Sequence, residues 1–182
     1  MSLKAKVKVG RITNLSEARY CAGMGVDLLG FPVGNDGLKP EQYKQLIEWV
    51  AGPEFVLELH RSQQADLKYI TDNYPGHYIE IGANHLDWLQ DESLSFIVAL
   101  SPVELDNVRE KLTGKGNVKV LEILEWNGEQ IQSAIPLFLE TDKLDAAMSA
   151  NAGISLIGAD EEKPGIKEYN NVADILEALE VE

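Results

Sequence analysis

The sequence predicts an α/β protein of one domain, residues 1–182, folded as a compact (β/α)8 TIM barrel with short loops. Three observations carry this expectation. Strand-like apolar runs alternate with helical patterns along the whole chain, which favours a parallel sheet covered by helices. Eight strand steps can be counted, the number that closes a barrel. No linker, low-complexity segment or charge block interrupts the series, and no G-x-G-x-x-G or G-x-x-x-x-G-K-[ST] follows a strand, which counts against the competing open, doubly wound sheet. At 182 residues the chain is short for a fold that usually takes about 250, so its loops must be close-cut.

The first unit sets the design. Val7-Lys8-Val9 alternates and ends at Gly10, where the backbone can approach a ligand. Thr13 or Asn14 caps the next helix; Glu17 lies at capping-box spacing from Asn14, and Leu15, Ala18 and Ala22 form an apolar stripe. Gly23 and Gly25 stop this helix, and Val26 to Phe31 is the second strand. Lys39-Pro40-Glu41 opens a helix running past Ile47 to Trp49 and Val50, stopped by Gly52-Pro53. Phe55 to His60 is the third strand, Gln63 to Tyr74 a helix, and Tyr78 to Gly82 the fourth strand. A short helix buries Leu86, Trp88 and Leu89. Phe96 to Ser101 is the fifth strand, Val103 to Leu112 an amphipathic helix, and Val118 to Leu124 the sixth strand. A helix over Glu129 to Ile135, a strand over Pro136 to Thr141, a helix over Lys143 to Ala150, a strand over Ile154 to Gly158 and a helix over Asn171 to Leu179 complete the series.

Composition narrows the function. A formal net charge of −14 argues against nucleic acid and anionic membranes as partners, because both need Lys and Arg to displace counterions. A single cysteine excludes an intramolecular disulfide and fits a reducing compartment; with no apolar leader and no apolar run of about 18 residues, a cytoplasmic location is expected. Cys21 reads as a small core residue. Trp49, Trp88 and Trp126 read as core or rim packing, and His77 and His85 as surface or loop residues.

The strands themselves carry the chemistry. Leu57-Glu58-Leu59, Ile79-Glu80-Ile81, Leu121-Glu122-Ile123 and Leu139-Glu140-Thr141 repeat one pattern, and side-chain alternation turns each glutamate inward if the apolar flankers face the helices. Lys8 points inward by the same rule. Isolated carboxylates in a dry core are costly, so these must be paired, protonated, hydrated or metal-bound. One reading is a polar plug neutralised by Lys8, with Lys119 or Arg11. Another is a divalent-metal site among Glu58, His60, Glu80, Glu122 and Glu140, and a third is general acid–base work. His60, with Arg61 beside it, falls at the C-terminal mouth where barrel sites form, and is the histidine to test as base or ligand.

Lys8-Val9-Gly10-Arg11-Ile12-Thr13, with Asp27-Leu28-Leu29-Gly30-Phe31 after the helix, resembles the opening of phosphoribosylanthranilate isomerase. Gly153-Ile154-Ser155-Leu156 to Lys163-Pro164-Gly165-Ile166-Lys167 resembles that family's last strand and following turn. The resemblance covers about a third of the chain. It implies a barrel isomerase of tryptophan biosynthesis acting on a small, phosphorylated ligand without a cofactor, with Gly10, Arg11, Gly158 and Ala159 on the ligand and Glu140 as a catalytic group; His60, from its place at the mouth, is the other candidate catalytic residue. Where the family has its catalytic cysteine this chain has Gly10, and the glycine after it is Arg11, so a chain diverged from or inactive in the family reaction is expected. Glu140 matches the family's acid by strand sequence, whereas counting strands points to Glu122 or Glu125. The family's phosphate-binding turns are replaced by Glu140-Thr141-Asp142 and Ile157-Gly158-Ala159-Asp160, with Lys163 or Lys167 as the nearby cations. A metal- or small-molecule-binding barrel enzyme using the inward glutamates, and a non-catalytic partner module, are the alternatives.

Overall fold

In the computed structural model, which describes residues 2–35, 37–62, 65–158, 161–163, 166–167 and 170–181, eight strands pair in chain order. They are β1 (Val7–Gly10), β2 (Leu28–Pro32), β3 (Glu54–Glu58), β4 (Tyr78–Ile81), β5 (Phe96–Leu100), β6 (Val118–Ile123), β7 (Leu137–Glu140) and β8 (Gly153–Ile157). All neighbours run parallel, and β8 returns to pair with β1, so the predicted barrel is closed. Around it lie α1 (Leu15–Gly23), α2 (Pro40–Ile47), α3 (Leu67–Asn73), a 3-10 helix (Ala83–Gln90), α4 (Pro102–Leu112), α5 (Leu144–Ser149) and α6 (Asn170–Leu179). A short antiparallel pair, β9 (Glu161–Lys163) and β10 (Ile166–Lys167), precedes α6.

Local signals start several helices where the sequence places them. Asn14 caps α1 by accepting from the Glu17 amide at 2.9 Å. Ser101 and Glu104 form a reciprocal capping box at α4, with the Ser101 amide donating to the Glu104 carboxylate at 2.8 Å and Pro102 in the first turn.

Three expectations are corrected. The helix expected over Glu129 to Ile135 does not form, and β6 connects to β7 through irregular chain. The Trp126 indole takes the Glu129 carbonyl at 2.9 Å, which a helix would pair with the Ser133 amide, Arg109 holds the Gln132 carbonyl at 2.8 Å, and Ile131 and Ile135 are the residues of the segment that pack on the core. Helix α2 ends at Ile47, which leaves Trp49 68% exposed rather than packed. Helix α3 begins at Leu67, capped by Asp66, rather than at Gln63, which lies outside the described residues.

Two apolar layers bracket the sheet. Leu57, Leu59, Ile79, Ile81, Leu121, Ile123 and Leu139 face outward into a core shared with the helices. Leu28, Val56, Ile97 and Phe138 form a separate cluster inside the barrel, joined by Tyr78 and Val120. These inward residues lie one pleat repeat, two residues, below Gly30, Glu58, Ala99 and Glu140, so the barrel is apolar at its N-terminal end and polar above it. A recess of about 410 Å³ lined by Leu28, Glu54, Tyr78 and Phe138 opens at that lower end, the face that in barrels serves stability.

Replacing Ser101 with Ala removes the hydroxyl half of the α4 capping box and leaves the amide bond to Glu104 in place. The expected cost is about 1 kcal/mol, read as a lower urea midpoint at unchanged slope.

Candidate functional site

Lys8 is the centre of the polar layer. Its ammonium, 3% exposed, lies 3.2 Å from Glu58 Oε1 and 2.6 Å from Glu122 Oε2, and also contacts Glu80 Oε2. All three glutamates are buried, so the inward assignment holds for them, and the polar plug is held by Lys8. Lys119 takes no part in it: its side chain is exposed and donates to the Gly116 carbonyl at 2.7 Å. The cation enclosed by the carboxylates is thus an ammonium, and among the described residues no group of three or more His, Cys, Asp or Glu is arranged to hold a metal.

Each carboxylate has a second partner. Glu122 Oε1 accepts from the Ser155 hydroxyl. Glu58 Oε2 accepts from the Arg11 amide at 2.8 Å. Glu80 Oε1 lies 2.5 Å from His60 Nδ1. The far side of that imidazole, Nε2, accepts from Arg61 Nε at 2.9 Å. A donor at Nε2 fixes the tautomer of the neutral ring, whose proton then sits on Nδ1, the nitrogen that faces Glu80.

Burial pulls the Lys8 ammonium down, but Glu122, Glu80 and Glu58 outweigh it and hold it well above its ordinary value, so it stays charged. One ammonium against three carboxylates leaves a charge surplus, and Glu80 carries the consequence. Burial and then the Glu122 charge push it up to about 7, against the opposing pull of Lys8. Glu122, although burial opposes it, is held below the ordinary carboxylate value by Lys8 and by hydrogen bonds that include the Ser155 hydroxyl. Burial lowers His60, yet Glu80 and Glu58 more than compensate and raise it. Glu140, half-buried at the end of β7, is raised by burial and by Glu122.

Glu58 also explains Gly10. A Cβ on Gly10 or on Gly30 would overlap Glu58 Oε1, and on Gly30 it would come within 2.6 Å of Glu58 Cδ. The carboxyl group thus fills the space that a side chain at position 10 would need, while Lys8 and the Arg11 amide prevent it from moving aside. Arg11 has φ 58°, a left-handed conformation rarely used by side chains with a Cβ. Glu125, beyond β6 at the same end of the barrel, has φ 52°. Strained residues of this kind concentrate at functional sites.

The other expected ligand contacts fare differently. The Gly158 amide donates to the Gly10 carbonyl at 2.8 Å, and Glu17 Oε1 lies 2.6 Å from where a Gly158 Cβ would stand. That amide is therefore committed, and a buried glutamate adjoins it. Ala159 and the side chains of Lys163 and Lys167 lie outside the described residues. Cys21 is buried in the helix–sheet core, its thiol pushed up to about 12 by burial and Glu17, and so is inert as a nucleophile. His77 is exposed, as expected, but His85 is buried and stacks on Trp88 at 4.3 Å, correcting its surface assignment. Sequence reasoning missed Ser155, although Gly153, Ser155 and Ile157 alternate along β8 by the rule that found the glutamates.

A closed, eight-stranded parallel barrel with its charged layer under the C-terminal mouth defines a (β/α)8 protein of the TIM-barrel class. Its fold is that of solved phosphoribosylanthranilate isomerases. A structure of TrpF from Jonesia denitrificans superposes with TM-score 0.73 at 15% identity, covering 96% of each chain. The phosphoribosylanthranilate isomerase of Thermotoga maritima gives 0.70 at 13% identity, covering 95% of this chain and 97% of that one. Another isomerase structure, solved in complex with reduced 1-(o-carboxyphenylamino)-1-deoxyribulose 5-phosphate, gives 0.68 at 14% identity, covering 95% and 97%. No family model and no curated protein sequence matches the chain. Among the described residues no helix is long and apolar enough to cross a membrane.

Two outcomes follow from the charged layer. Glu80 binds its proton more tightly folded than unfolded, so stability falls as pH rises from its ordinary value of 4.5 to about 7, by on the order of 3 kcal/mol. Raised His60 acts in the same direction, whereas lowered Glu122 loses stability as pH drops below 4.5. Thermal melting should therefore peak near about pH 5, and Glu80→Gln should flatten the decline toward pH 8. Gly10→Ala should cost about 2 kcal/mol in the wild-type background and much less in a Glu58→Ala background, a coupling read from a double-mutant cycle.

Proposed function

We propose that this chain is a diverged relative of the phosphoribosylanthranilate isomerases that performs acid–base chemistry on a small molecule at the C-terminal mouth of its barrel, by a route that does not use the family's cysteine. The observation that carries this reading is the Glu80–His60 contact at 2.5 Å, anchored from below by Lys8. A carboxylate on Nδ1 orients the imidazole, and it stabilises the imidazolium that forms when Nε2 takes a proton. His60 is then the base that removes a proton from carbon, and Glu140, whose raised value favours the protonated form, is the acid that delivers one to oxygen. The proton taken up by His60 and the one released by Glu140 balance, so an isomerisation needs no oxidant and no cofactor. Gly10 and Arg11 form the wall of the site at β1, and Gly158 its edge at β8.

The family reaction itself is a poor match to these residues. Gly10 has no side chain to remove a proton, Glu58 fills the adjoining space, and the Gly158 amide that would face a phosphate is already bonded. A small carbonyl compound able to exchange a carbon-bound proton suits the acid–base pair better than a phosphate dianion suits the surrounding carboxylates. Localisation in the cytoplasm accords with the lone reduced cysteine.

Two assays test this. Phosphoribosylanthranilate generated in situ should lose fluorescence no faster with the protein than in buffer. In D₂O, a panel of small aldoses, ketoses and 2-oxo acids should include compounds that gain deuterium beside the carbonyl, and His60→Gln should slow that exchange by about 100-fold. Rapid turnover of phosphoribosylanthranilate would refute the divergence, and absence of exchange across the panel would refute the acid–base role.

A further inference from the structure

We infer that Arg61 is a ligand-operated cover over His60, and that the ligand which lifts it carries a carboxylate. The inference rests on His60 being the mouth base, and it adds both a specificity-determining residue and a class of ligand. Arg61 Nε donates to His60 Nε2 at 2.9 Å, so the one lone pair of the imidazole that could accept a proton is occupied. While this bond stands, His60 is orientated but unavailable.

The bond is a weak use of a guanidinium. Its acceptor is a neutral ring nitrogen that takes one N–H, whereas a carboxylate brings a full opposite charge and accepts two parallel N–H groups. Among the described residues no carboxylate forms an ion pair with Arg61, although its charge reaches Glu140. The side chain is exposed, so it can swing without disturbing the core. A carboxylate that engages the guanidinium side-on takes the Nε–H and one Nη–H together. That engagement withdraws the donor that now covers Nε2, so binding and exposure of the base become one event.

A planar monoanion fits this better than a phosphate. Glu140 is half-buried nearby, and Glu125 and Asp142 lie exposed at the same end of the barrel, so a second negative charge meets added repulsion. Held by Arg61, a carboxylate places the atoms next to it over His60 Nε2. The ligand is therefore expected to carry its exchangeable proton close to its carboxylate.

Side-chain NMR tests this without turnover. The chain has three histidines, and long-range ¹H–¹⁵N spectra of the whole protein report the nitrogen state of each. Acetate, titrated to about 100 mM at constant ionic strength to saturate a millimolar site, should shift the His60 Nε2 signal along a saturating curve and leave His77 and His85 in place. Acetamide, the neutral isostere, should produce no saturating shift, and inorganic phosphate should act at least about tenfold more weakly than acetate. Arg61→Gln should start with His60 Nε2 already uncovered and lose the acetate response; Arg61→Lys should weaken it by about tenfold. A His60 signal that ignores acetate, or one that responds equally in Arg61→Gln, overturns the inference. A normal acetate response in a protein that exchanges no carbon-bound proton retains Arg61 as a carboxylate site and removes only the catalytic reading.

Discussion

A single ammonium group in the middle of a barrel organises this molecule. Lys8 reaches the axis from β1 and meets carboxylates from β3, β4 and β6, so four of the eight strands are tied through one nitrogen. Three carboxylates exceed what one ammonium can neutralise, and the surplus is passed upward: Glu80 holds a proton more readily than an ordinary carboxylate and shares the histidine above it. A buried pair broken by removal of one partner is usually costly, whereas a complete cluster is close to neutral in stability. The charged layer is thus better understood as a device that fixes positions and proton affinities than as a source of folding energy. The two apolar layers supply that energy, one inside the barrel at its base and one between strands and helices.

Position along a strand sorts the interior by function. On β3, Val56 joins the apolar base and Glu58 the charged layer; His60, two residues further on, stands at the mouth. On β4, Tyr78, Glu80 and Gly82 follow the same order. Steps of two residues carry a chain from dry packing to a fixed charge and then to an accessible group. The arrangement makes the histidine's setting a property of the sheet and leaves Arg61, exposed in the turn that follows, just beyond it.

Much of this could be read from the residues alone because strand alternation is a rigid rule. Leu-Glu-Leu, Ile-Glu-Ile and Leu-Glu-Ile each turn one glutamate inward wherever the flanking residues pack on helices, and Lys8 follows from the same geometry. Ser155 obeys the rule as well, but a serine among apolar residues raises no electrostatic difficulty and so draws no notice. What resisted sequence reasoning were features decided by tertiary competition. The Glu129 carbonyl is claimed by the Trp126 indole instead of a helical amide, Trp49 lies just past the end of α2, and His85 is buried by stacking on Trp88. The role of Gly10 was equally hidden, because its cause is the carboxyl group of Glu58, 48 positions away in sequence and in contact only once the barrel closes.

That contact imposes an order on substitutions at positions 10, 30 and 58. While Glu58 is present, a side chain at position 10 or 30 collides with it, and exchanging either glycine singly carries a steric penalty. Shortening residue 58 first removes the obstacle, at the expense of a partner for Lys8 and for the Arg11 amide. Any route to a side chain at position 10 that avoids the collision therefore runs through a variant with a weakened charge cluster, and substitutions made in the opposite order meet a steric barrier. The glutamate acts as a lock on order: the space beside Gly10 and Gly30 belongs to the carboxyl group of Glu58, and the three positions can change freely only in one sequence.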